Sequence, residues 1–107
     1  MEEIKVGEYI RTIEPYGEIF KVIGIGKEEV LVVDSYENSL VATGYVKKHS
    51  PNITDVIEVG DYVNGCNVVG IKEDGVVVSG GFGEIWLSQI ESVVTHEQFN
   101  SIKYEVI

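Results

Sequence analysis

Apolar positions along this chain fall in short alternating or β-branched runs, not at the three-to-four spacing of an amphipathic helix. Such runs occupy residues 8–12 (EYIRT), 19–25 (IFKVIGI), 29–34 (EVLVVD), 61–65 (DYVNG), 67–71 (NVVGI), 75–79 (GVVVS) and 84–94 (EIWLSQIESVV). Their valine, isoleucine and aromatic content predicts β-strands. Turn chemistry separates them, at 26–29 (GKEE), 35–39 (SYENS), 72–75 (KEDG) and 79–84 (SGGFGE). Two stretches instead carry helix-start signals. In HSPNITDVI, from His49, Ser50 stands as an N-cap before a first-turn proline, Pro51; in VTHEQFNSI, from Val94, Thr95 and Gln98 have the spacing of a capping box. The last five residues, 103–107 (KYEVI), read as a closing strand.

The pattern is written twice. Ile4, Val6, Gly7, Tyr9 and Ile10 recur as Ile57, Val59, Gly60, Tyr62 and Val63 at an offset of 53, with Glu8 answered by Asp61. Farther on, 22–25 (VIGI) matches 68–71 (VVGI), and 30–33 (VLVV) matches 76–79 (VVVS), at an offset of 46. The first copy therefore holds seven extra residues, centred on the proline- and glycine-containing loop at 14–18 (EPYGE). Five short strands and a helical turn in a unit of this size predict a small SH3-like barrel. The expectation is an all-β fold with short helical turns: two tandem five-stranded SH3-like barrels, residues 1–56 and 57–107, packed together because one such core alone is small. Tyr9 and Tyr62 are expected to help close each barrel, and Gly7 and Gly60 to sit at turns that need positive φ.

Composition narrows the class. With 107 residues, 44% of them hydrophobic, the chain can bury a core. It has no apolar run long enough to span a bilayer and no basic leader, so a cytoplasmic location, in a host cell, is expected. Eighteen acids against eight bases give a net charge of −10. The residues up to Ile57 carry −4 and the remainder −6. Such a surface repels phosphate backbones, so direct nucleic-acid binding is not expected; a basic protein surface is its natural complement.

Catalytic chemistry finds little to work with. Cys66 is the one cysteine and reads as a small buried hydrophobe; His49 and His96 stand at the entries to the two helical segments, where structural roles cover both. Neither histidine has metal-ligand spacing, no acids follow a calcium-loop pattern, and no nucleophile, base and acid share a recognised arrangement. No enzyme, metal or cofactor is expected. Glycine-rich 24–29 (GIGKEE) and 79–84 (SGGFGE) are explained as hairpin turns. The contact candidates are aromatics in segments that differ between the copies, Tyr16, Tyr36, Phe82 and Trp86, together with the acidic pair Glu73 and Asp74. Trp86 has a second reading, as the second barrel's core residue.

The stretches VKKHSPNITDVIEVGDYVNG (46–65) and IESVVTHEQFNSIKYEV (90–106) resemble a family of small proteins from phages and prophages of Gram-positive bacteria, whose pattern is IEVGDYVNG followed by VVTxEQF and a tyrosine-containing tail. The resemblance implies a small accessory phage protein without enzymatic activity. Its expected function is inhibition of a bacterial antiphage defence, anti-CRISPR-like or other, by masking a basic functional surface of a host protein. Alternatives from other classes are a sponge for a small nucleotide immune signal and a structural module of a phage assembly; a homodimer is left open.

Overall fold

Alternation becomes sheet structure as expected. The computed structural model describes residues 3–14, 17–33, 38–80 and 83–102. Its first half contains β1 (Tyr9–Thr12), β2 (Ile19–Ile25), β3 (Glu29–Val33), β4 (Asn38–Ala42), a 3₁₀ turn (Thr43–Tyr45) and β5 (Val46–Ser50). A second 3₁₀ turn, Ile53–Asp55, leads to β6 (Tyr62–Val63), β7 (Cys66–Lys72), β8 (Gly75–Val78) and β9 (Glu84–Trp86). A third turn (Leu87–Gln89), β10 (Val93–Val94) and α1 (His96–Ile102) follow. The strands form two antiparallel five-stranded sheets, ordered β4-β3-β2-β1-β5 and β10-β6-β7-β8-β9. The second order is the first with each strand replaced by its repeat partner. Among the described residues neither sheet closes on itself by pairing its outer strands.

Register confirms the duplication in detail. Tyr9 pairs with Lys21 but Tyr62 with Asn67, which places the seven extra residues of the first copy between β1 and β2. Both copies interrupt the next ladder at the same place, with bulges between Val22 and Gly24 and between Val68 and Gly70. Each bulge turns one apolar residue, Ile23 or Val69, outward.

The repeated phrase is a turn, built by its acid. Glu8 N–H donates to Lys5 O and Asp61 N–H to Glu58 O, while Gly7 and Gly60, at φ 93° and 102°, occupy the third position. The acid's carboxylate then accepts the first turn residue's N–H: Lys5 N to Glu8 Oε1 at 2.8 Å, Glu58 N to Asp61 Oδ2 at 2.8 Å. Both glycine N–H groups donate to the neighbouring strand, to Val22 O and Val68 O.

Two small cores result. One gathers Ile4, Ile10, Phe20, Val22, Val30, Val32 and Val46; the other gathers Ile57, Val63, Val68, Val76, Val78 and Ile85. Ile19, from β2, packs against the second.

Several sequence expectations are corrected. Residues 84–94 are not one strand: the chain turns at Leu87–Gln89 between β9 and β10. His49 and Ser50 belong to β5, paired with Ile10 and Tyr9, so the helical turn begins later and its cap is Asn52, whose side chain accepts Thr54 N–H. Ser50 contributes by accepting Asn52 N–H at 3.0 Å. His49 and His96 are therefore not equivalent, one lying in the outer strand β5 and the other opening α1. The capping box at α1 is present, with Gln98 N donating to Thr95 Oγ1 and Thr95 N to Gln98 Oε1, each at 3.1 Å. Cys66 is half-buried against the second core. Residues 103–107 lie outside the described residues. Among the described residues, no helix is long and apolar enough to cross a membrane.

Candidate functional site

Of the six expected contact residues, Tyr16, Tyr36 and Phe82 lie outside the described residues. The structure brings the other three together. Glu73 and Asp74 form the exposed turn of the β7–β8 hairpin, and Trp86 ends β9 directly opposite Gly75. Strand alternation turns Ile85 into the core and leaves Trp86 48% exposed, so the tryptophan is not the core residue. The hairpin backbone is held from two sides. Asp74 O accepts Leu87 N–H at 2.8 Å, and Glu73 O accepts Asn52 Nδ2 at 2.8 Å and Thr54 Oγ1 at 3.3 Å. Lys72 pairs with Glu84 and places its ammonium 5.9 Å from the Trp86 ring centroid. The result is an aromatic on an outer strand beside a preorganised acidic turn.

A second cluster sits between the units. Arg11, the chain's one arginine, is fully buried on β1 and reaches across into the second unit. Its Nη1 donates to Asp61 Oδ2 at 2.6 Å and Val56 O at 3.0 Å; its Nη2 donates to Asp61 Oδ1 at 3.0 Å and Glu97 Oε1 at 2.6 Å. Asp61, also fully buried, accepts Glu58 N–H and His96 N–H as well, which fills the four acceptor positions of a carboxylate. One side chain thereby fixes the repeated turn, holds the first unit's guanidinium and caps α1. Gly17, from the long loop of the first copy, lies so close to Glu97 that a Cβ there would overlap the carboxylate.

Glu58 stands at the rim, 3.6 Å from Arg11 Nη2 and 3.0 Å from both Lys47 Nζ and Lys48 Nζ. Adjacent strand residues normally point to opposite faces. Here the ladder slips between Arg11, paired with Lys48, and Thr12, paired with Val46, and the resulting bulge at Lys47 lets both lysines reach one carboxylate. Partial burial works against ionisation of Glu58, but hydrogen bonds from Lys47, Lys48 and His96 and the charge of Arg11 outweigh it and hold the pKa at about 2. Burial likewise opposes the charge of Arg11, and its bonds to Asp61 and Glu97 with the field of Glu58 more than offset this, so its pKa is raised.

Glu58, His96 and Glu97 bring three ligand-type atoms within 4.8 Å of one another. They do not suit a cation. Arg11, Lys47 and Lys48 already place three positive charges on these carboxylates, and the second oxygen of Glu97 faces Gly17. In the first unit Glu8, the counterpart of Asp61, takes His49 instead, with Nδ1 2.9 Å from Oε1.

Sequence reasoning missed this cluster. A signal was available in the single arginine lying mid-strand in YIRT, at the position where the second copy has Asn64. Its partners are 50 and 86 residues away, too far for any spacing rule. No family model, curated protein or solved structure matches the chain.

Proposed function

We propose that the chain is a pair of SH3-like barrels, residues 1–56 and 57–107, acting as a non-enzymatic binding protein that masks a basic surface of another protein. The barrel reading is supported by the strand order within each sheet, a four-strand meander whose fifth strand returns to pair with the first, and by the 3₁₀ turn before that fifth strand. The observation that carries the binding reading is Trp86, half exposed on an outer strand beside the backbone-pinned acidic turn Glu73–Asp74. Tryptophan anchors interfaces by burying much area at small entropic cost, and flanking charge steers a partner of opposite sign. The net charge of −10 favours the same class of partner. With the resemblance to small phage proteins, the biological setting we propose is the host cytoplasm, with a component of a bacterial antiphage defence as the target.

Affinity capture from a Gram-positive host lysate tests this, with parent and W86A as parallel baits and mass spectrometry of both the captured proteins and the heat-released small molecules. The expected result is a basic protein retained by the parent and weakened by about 2 kcal/mol in W86A. Neutralising Glu73 and Asp74 is expected chiefly to slow association. Release of a nucleotide without a protein would replace masking by sequestration.

A further inference from the structure

The two copies share a groove that has diverged. Val30 pairs with Val41 and Val76 with Ile85, which aligns β4 with β9 and the turn after each; Ile10 pairs with Phe20 and Val63 with Cys66. By this register Val41 corresponds to Ile85, Leu40 to Glu84, Tyr45 to Gln89 and Phe20 to Cys66. All four first-copy residues line an open groove of about 490 Å³, with Thr12 and Glu18 at its wall. Their four counterparts, with Asn64, line a groove of about 240 Å³.

Only one of the four positions is strongly apolar in both copies. It is Val41/Ile85, which packs on the core, as do Phe20 and its smaller counterpart Cys66. At the two exposed positions, those of Leu40 and Tyr45, the second copy has Glu84 and Gln89, so the fold does not demand large apolar side chains there. In that copy the mouth is tied by its own polar groups: Asn64 Nδ2 donates to Gln89 O at 2.7 Å, and Asn64 Oδ1 accepts Glu91 N–H and Ser92 N–H at 2.8 and 3.0 Å. In the first copy Leu40 is 61% and Tyr45 54% exposed. Large apolar side chains kept in water, at positions where the twin is polar, point to an occupant. The groove borders β4, an outer strand whose second edge carries no strand among the described residues.

We propose that this groove docks an extended segment of a partner chain. The segment lies along β4, sets one large apolar side chain among Phe20, Leu40 and Tyr45, and carries a lysine or arginine beside it that faces Glu18. Strand addition to a free edge supplies main-chain hydrogen bonds, and the groove supplies selectivity. A basic segment is favoured because Glu18 is the charged residue at the groove wall among the described residues and the whole chain carries −10. This site is in the opposite unit from Trp86 and does not rest on the masking reading.

The test uses the full chain and fluorescein-labelled eight-residue peptides with a central Leu, Phe or Ser flanked by Lys, Ser or Glu, read by fluorescence anisotropy. Leu- or Phe-centred peptides with Lys flanks are expected to bind saturably, with Ser-centred and Glu-flanked ones about tenfold weaker or more. L40E and Y45Q install the second copy's own residues, so both are expected to keep the parent's circular dichroism and melting temperature while binding falls about thirtyfold. E18Q is expected to remove the preference for Lys over Ser flanks. Amide shifts on the parent should centre on Ser39, Leu40 and Val41, a readout that stands if a variant fails to fold. The proposal is overturned if no peptide binds, if flanking charge makes no difference, if folded L40E and Y45Q bind like the parent, or if sedimentation shows that a second copy of this chain occupies the groove.

Discussion

Arg11 carries a positive charge into a fully buried site, and three carboxylates meet it there. Two are made for the purpose: Asp61 in a bidentate grip and Glu97 from α1. A buried pair of this sort adds little over a well-packed apolar substitute, but removing one side leaves the other desolvated and alone. We therefore expect R11M to lower stability by ~3–5 kcal/mol in a denaturant titration, since Asp61 and Glu97 remain. R11K, which keeps charge but cannot grip both Asp61 oxygens, should lose less. Losses below ~1 kcal/mol for both variants would mean that the cluster contributes nothing beyond filling space.

At the scale of elements, the fold was legible where local chemistry decides it. β2, as it stands in residues 19–25, is an alternating β-branched run between turn residues, and Thr95 with Gln98 announces α1 at short range. Legibility ended where tertiary pairing overrides local signals. Ser50 and Pro51 look like a helix start, yet Tyr9 draws Ser50 into β5; Glu84 to Val94 looks like one strand, yet the chain must turn at Leu87–Gln89 to bring Val93 to Val63. The candidate site divides the same way. Exposure of Trp86 follows from its being one residue from Ile85, whereas the Arg11 cluster depends on contacts between copies. The repeated turn gives a sharp prediction, because at Gly60 a Cβ would approach nothing nearer than 3.8 Å and the φ of 102° alone sets the penalty. G60V should cost about 1–3 kcal/mol in thermal denaturation, and G7V similarly. An unchanged melting temperature for both would show that the turn tolerates a side chain.

For the whole molecule, the question is whether two cores behave as one. Each is built from a handful of apolar side chains, too few for a unit of about 50 residues to stand securely alone. The boundary is crossed by Ile19, by Arg11 and by Lys47 and Lys48 on Glu58. Calorimetry should accordingly show a single transition whose calorimetric and van't Hoff enthalpies agree. Two resolved transitions, or a stable isolated fragment 57–107, would mean that the units are independent.

The reach of Arg11 also orders events in time. Its partner Glu97 is polymerised 86 residues later, an interval of about four to seventeen seconds at about 5–20 residues per second. Asp61 follows Arg11 by 50 residues, so until Glu97 arrives β1 has only one of the two carboxylates that hydrogen-bond its guanidinium. α1 thus supplies the second anion that lets β1 bury its charge, so a nascent chain truncated before residue 97 cannot complete the junction however long it waits.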